Sequence, residues 1–127
     1  MDATRVQRMD HRLQRRALLR EVREGLRSLD DVRDAHPDLV RAGVHIGTEV
    51  ADPCPLCQQD ALRHVAYVFE RHGTRKGSGR ALPEEALQRH ADRHGDLAVY
   101  LVEVCVACRW HHLVESYRLL AQGSAVG

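Results

Sequence analysis

Leu97-Ala98-Val99-Tyr100-Leu101-Val102-Glu103-Val104 runs directly into Cys105-Val106-Ala107-Cys108. The first eight residues set Leu97, Val99 and Leu101 on one side and Ala98, Tyr100, Val102 and Val104 on the other, the pattern of a strand covered on both faces. That strand delivers the chain into two thiols separated by two residues. A second pair, Cys54-Pro55-Leu56-Cys57, is separated from the first by 47 residues, and every cysteine of the chain belongs to one of the two. Two intervening residues let a tight turn aim both sulfurs at one ion about 2.3 Å away, and two such turns complete a tetrahedral thiolate shell. The spacing therefore predicts one structural Zn2+ held by Cys54, Cys57, Cys105 and Cys108.

Other uses of four thiols fit less well. Disulfides suit an oxidising compartment, but the opening MDATRVQRMDH lacks the apolar core of a signal peptide, so a reducing cytoplasm is expected. Thioredoxin-like chemistry uses a single C-x2-C beside a βαβ unit, whereas this chain has two, each next to a strand-like run. Catalytic zinc keeps an open position and three protein ligands, so Glu103, which could otherwise act as a general base, is not expected to be one. No enzyme is predicted.

Outward from the thiols, Trp110 to Val114 should return antiparallel to the 97–104 strand, with Trp110 covering one side of the metal. His111 and His112 are expected near the ligands rather than among them, because four thiols already close the shell. Leu62 to Phe69 should be a strand leaving the first turn. Turn, strand, insertion, strand, turn, strand is the order of a zinc ribbon. The insertion contains a helix that starts at Pro83-Glu84-Glu85 and ends near His94. His90 and His94 share a face of it, yet Ala91 stands where an H-E-x-x-H motif needs glutamate, so no metal is assigned to them. Residues 73–80, GTRKGSGR, form a glycine-rich basic loop without P-loop spacing, whose Arg75, Lys76 and Arg80 could touch phosphates non-specifically.

Toward the N-terminus, an unbroken stretch from Thr4 to about Leu26 predicts a long helix. Val6, Met9, Leu13 and Ala17 project to one side of it, and Leu18, Leu19, Val22 and Leu26 to the other. Such a helix either bends near Arg16 or has its first half covered by a partner or by a second copy, which would make a homodimer. Arg5, Arg12, Arg16, Arg23 and Arg27 fall in one sector of the projection, a solvated face or a contact surface for protein or nucleic acid. Ser28-Leu29-Asp30-Asp31 caps a short helix to about Ala35, and Pro37 opens another reaching Gly43. Three helices with tight turns share the outline of helix-turn-helix modules, but the last carries one basic side chain, so plain packing is the better reading. The resulting class is α+β: a helical segment at 1–46, a ribbon-like antiparallel sheet at 47–120 with its helical insertion at about 82–95, and a flexible tail at 121–127.

At 127 residues the chain suits one domain, or a small domain with an appendage. Trp110, Phe69 and three tyrosines supply all its aromatic bulk, which favours a metal staple. No apolar run approaches the roughly 18 residues of a membrane span. The net charge of +1 is uneven: residues 1–27 hold eight arginines against four acids, a net of +4, leaving −3 for the rest. A basic arm on a mildly acidic body predicts an anionic partner.

The chain resembles an actinobacterial family catalogued as a domain of unknown function, small zinc-ribbon-like cytosolic proteins. The resemblance lies in Leu13-Gln14-Arg15-Arg16-Ala17-Leu18-Leu19, Asp31-Val32-Arg33-Asp34-Ala35-His36-Pro37, the first thiol pair, Tyr67-Val68-Phe69, and Val102-Glu103-Val104-Cys105 through Cys108-Arg109-Trp110-His111-His112-Leu113. Members of that family often have cysteine where this chain has Arg33 and asparagine where it has His111, which implies that neither is a ligand. The resemblance implies architecture and compartment, and no activity. The expected role is that of a non-enzymatic zinc-binding accessory protein docking on a large assembly such as RNA polymerase in the transcription machinery. The alternatives are direct DNA or RNA binding through the N-terminal helices, and a thiol-based redox or metal sensor.

Overall fold

In a computed structural model that describes residues 4–70 and 79–122, the strand entering the second thiol pair occupies the middle of an antiparallel sheet. The strands are β1 Arg5–Asp10, β2 Thr48–Glu49, β3 Leu62–Glu70, β4 Arg80–Leu82, β5 Leu97–Cys105 and β6 His111–Leu119. Their order is β1-β6-β5-β3-β2, with β4 also paired to β3. The helices are α1 Arg12–Arg23, α2 Leu29–Val32, α3 Pro37–Ile46 and α4 Leu87–His94, the last entered through a single 3-10 turn at Glu84–Ala86. The architecture is α+β, and the ribbon order of turn, strand, helical insertion, strand, turn, strand is present.

β3 and β5 pair without interruption from Leu62 opposite Cys105 to Glu70 opposite Leu97. Opposed residues share a face, so each face can be followed to what covers it. On one face, Ala66, Val68, Leu97, Val99, Tyr117 and Leu119 pack with Leu87 and Ala91 of α4. Further along, Leu62, Cys105 and Trp110 pack with Cys54, Val32 and the half-buried Leu18, Leu19 and Val22 of α1. On the other face, Val65 and Val104 receive Leu39 of α3 together with Ala35. α3 lies so close that a Cβ on Gly43 would meet Val104 Cγ1 at 3.0 Å and Val106 Cγ1 at 3.1 Å. No helix among the described residues is long and apolar enough to cross a membrane.

The N-terminal segment departs from the expected helix. Arg5–Asp10 is a strand on the outer edge of β6, pairing Arg5 with Leu119, Val6 with Arg118, Met9 with Ser116 and Asp10 with Glu115. An irregularity between Val6 and Met9 includes Gln7 at φ 54°. Without β1 the long edge of β6 would present unpaired backbone groups, and satisfying them outweighs a helix propensity that is weak in any one hexapeptide. Helix begins only after Asp10, whose carboxylate accepts the Arg12 N–H at 2.9 Å. The apolar stripe that changed sides is thus neither a bend nor a covered half-helix. Val6 and Met9 belong to β1, Leu13 stays 66% exposed, and Leu18, Leu19 and Val22 form the packed side of α1. The reason for placing a second copy on that helix lapses with the stripe.

Smaller differences are local. α2 ends at Val32 rather than Ala35, after Ser28 Oγ accepts the Asp30 N–H at 3.1 Å. α3 starts at Pro37 as expected, capped by His36 Nδ1, but continues past Gly43 to Ile46.

Candidate metal centre

Both thiol turns are built alike. In the first, the Gln58 N–H donates to the Cys54 carbonyl at 3.0 Å, and in the second the Arg109 N–H donates to the Cys105 carbonyl at 2.9 Å. The residue after each pair turns the chain sharply with positive φ, 65° at Gln58 and 72° at Arg109. Each turn also directs a backbone N–H at its first sulfur, Leu56 to Cys54 and Cys108 to Cys105, both at 3.4 Å. Donors of this kind stabilise thiolate over thiol. The strands then bring the turns together: Cys105 ends β5 opposite Leu62, which begins β3, and the Val106 N–H donates to the Ala61 carbonyl at 2.9 Å.

The four Sγ atoms lie within 4.8 Å of one another, with Cys54–Cys108 and Cys57–Cys105 each 3.6 Å apart. A tetrahedral shell with metal–sulfur bonds of about 2.3 Å has edges of about 3.8 Å, so the sulfurs are spaced to share one ion. Cys54 and Cys105 are fully buried, while Cys57 and Cys108 are half-buried. Burial pushes the Cys54 thiol well above the ordinary thiol range and raises Cys108 as well. Burial alone would raise Cys57 too, but the Gln59 N–H and the neighbouring thiols bring it below its usual value. A metal entering this set displaces the protons that burial retains. Among the described residues this is the group of at least three Cys, His, Asp or Glu side chains arranged to hold a metal ion.

Trp110 is fully buried in the same cluster as Cys54 and Cys105, beside the sulfurs. His112 stacks on it, ring centroids 5.9 Å apart and 16° from parallel. His111 faces away, its Nε2 2.9 Å from Asp34 Oδ1. Sequence reasoning missed two supports. Glu103, 5% exposed, accepts from Trp110 Nε1 at 2.6 Å and from Arg15 Nε at 2.8 Å on the same Oε2 atom, tying α1 to the second thiol turn. Arg109 donates Nε and Nη2 to the Ala35 carbonyl at 3.0 and 2.6 Å, fastening the second turn to the α2–α3 junction. The available signal was a lone acid inside the most apolar strand, which must find donors if buried.

The arginines expected on one helix face are dispersed. Arg5 lies in β1 with its guanidinium 4.8 Å from the Tyr117 ring centroid. Arg12 pairs with Asp10 at 3.3 Å and reaches Glu115 at 4.0 Å, and Arg27, beyond the end of α1, pairs with Glu21 at 3.1 Å. Arg16 and Arg23 are exposed on α1 near the first thiol turn. Arg80 is exposed at the start of β4, while Arg75 and Lys76 lie outside the described residues. His90 and His94 sit with ring centroids 4.5 Å apart, and His90 Nε2 lies 3.1 Å from Glu70 Oε1.

The uncharacterized proteins Rv0049 of Mycobacterium tuberculosis and Mb0050 of Mycobacterium bovis are each 43% identical to this chain over 112 residues, 87% of its length and 80% of theirs. No solved structure matches it significantly. The model of one family, described as a family of unknown function, matches residues 2–126, both thiol turns included. By that match and by the identity to its mycobacterial relatives, the chain belongs to the family of unknown function DUF5318.

Proposed function

We propose that this protein is a non-enzymatic accessory protein of the cytoplasm, in which one structural Zn2+ on Cys54, Cys57, Cys105 and Cys108 stiffens a ribbon that docks on a large assembly. The observation that carries the reading is the four-sulfur set within 4.8 Å. Four thiolates saturate tetrahedral zinc and leave no position for substrate. Glu103, the acid beside the set, is engaged by Arg15 and Trp110 and so is not poised as a base. A zinc ribbon is a small, rigid platform suited to protein contacts, and RNA polymerase in the transcription machinery is the first assembly to test.

Affinity isolation of the tagged chain from a mycobacterial host at low salt, followed by mass spectrometry, is the experiment. Recovery of polymerase subunits supports the full reading. Recovery of a different assembly keeps the docking role and replaces its target, and recovery of the chain alone overturns it. The half-buried Cys57 and Cys108 favour one competing role, a thiol-based sensor. That role requires dilute peroxide to release the metal from the folded protein, whereas a structural site retains it.

A further inference from the structure

The arginines of α1 fall into two sets. Arg12 and Arg15 meet Asp10, Glu115 and Glu103. Arg16, Arg20 and Arg23 are exposed, and no acid is paired with them among the described residues. Their spacing places them along one side of the helix. They rim a shallow groove of about 410 Å³ between α1 and the first thiol turn, which Leu19, Val22 and Leu56 also line. Those apolar side chains are half-buried and pack by their inner atoms against the cluster of Trp110, Cys54 and Cys105.

We propose that this groove docks an acidic, amphipathic segment of a protein partner. Carboxylates of that segment meet Arg16, Arg20 and Arg23, and an apolar side chain enters between Leu19, Val22 and Leu56. The inference deepens the docking role proposed above and rests on it. Guanidinium forks match carboxylates with two parallel hydrogen bonds, and three unpaired ones in a row make a surface complementary to acids. Cationic rim and apolar floor together are the anatomy of a protein interface, in which a buried side chain supplies affinity and the charges supply orientation and rate. Part of the floor belongs to the first thiol turn, because Leu56 lies between Cys54 and Cys57. Nucleic acid fits less well: phosphates gain nothing from Leu19, Val22 and Leu56, and no aromatic side chain lines the groove to stack a base.

The test uses the full, metal-loaded chain and fluorescence anisotropy. The probe is a short labelled peptide of Glu, Asp and Leu in helical spacing. Its Gln, Asn and Leu counterpart and a duplex oligonucleotide serve as comparisons. The acidic peptide should bind at least about tenfold more tightly than its amide counterpart, weaken with salt, and lose at least about tenfold in affinity on combined Arg16→Glu, Arg20→Glu and Arg23→Glu substitution. Leu56→Asp should cause a loss of the same order, and retained metal content in both variants excludes misfolding as the cause. Equal binding of the acidic and amide peptides, indifference to the triple substitution, or a preference for the duplex through these same arginines overturns the proposal. The two readings fail separately. A chain isolated alone from cells but binding the peptide through the arginines defeats the assembly role and not the groove. An assembly still recovered by the triple variant, with no peptide binding, defeats the groove and not the docking.

Discussion

Glu103 concentrates the site's electrostatics in one atom. Its Oε2 receives both Trp110 Nε1 and Arg15 Nε, inside a site where only 6% of the carboxylate side chain is exposed. Glu103→Ala leaves an indole N–H without its acceptor and the guanidinium of Arg15, a side chain 23% exposed, without its counter-charge. Breaking such a pair from one side costs on the order of 3 kcal/mol, which urea unfolding of the metal-loaded protein should register. His64 stands opposite Glu103 on the neighbouring strand, and burial lowers its pKa from the ordinary 6.5. The carboxylates of Glu103 and Glu84 act to raise it, while Arg12 and Arg15 add to the lowering. With the folded value depressed, the unfolded chain takes up the proton first. Stability is then complete above the unfolded value of 6.5 and declines as pH falls from there through the folded value. His64→Gln should flatten this part of the profile, so the gap in unfolding midpoint between neutral and mildly acidic buffer becomes smaller than in the wild type. An unchanged gap would remove His64 as a cause.

At the level of elements, Gly43 brings α3 close against the sheet. A methyl there meets Val104 and Val106 at 3.0 and 3.1 Å, and both valines flank Cys105. Gly43→Ala should therefore push α3 outward and lower stability by about 1–3 kcal/mol in a denaturant titration. The elements also differ in how far the sequence declares them. β5 alternates over its length and ends on a thiol, so its position was legible. β3 and the α4 insertion were likewise readable, from the β-formers Val65, Tyr67 and Phe69 and from the Pro83 helix start. β1 was not, because Arg5–Asp10 has no alternation and owes its strand state to the edge of β6, which lies more than a hundred residues away. The same holds for the supports of the thiol turns. Arg15 and Arg109 look like any of the other arginines until the fold places them beside Glu103 and the Ala35 carbonyl.

For the molecule as a whole, the two thiol turns join what the chain separates. The sulfurs face a cluster in which Trp110, Leu62, Val32 and part of α1 converge, so a metal held there would tie α1, β3, β5 and β6 at one point. Structural zinc contributes something like 10 kcal/mol in small modules at neutral pH, comparable to the whole stability of an ordinary domain. Because binding requires thiolates and burial holds protons on Cys54 and Cys108, acid should release the metal and unfold the chain in one transition. The measurement that bears most directly on this account is native mass spectrometry of the protein purified without added metal. One zinc per chain, read as a mass gain of one zinc less the two protons that balance its charge, is the predicted species. A folded chain carrying no metal and its full complement of thiol protons would contradict it.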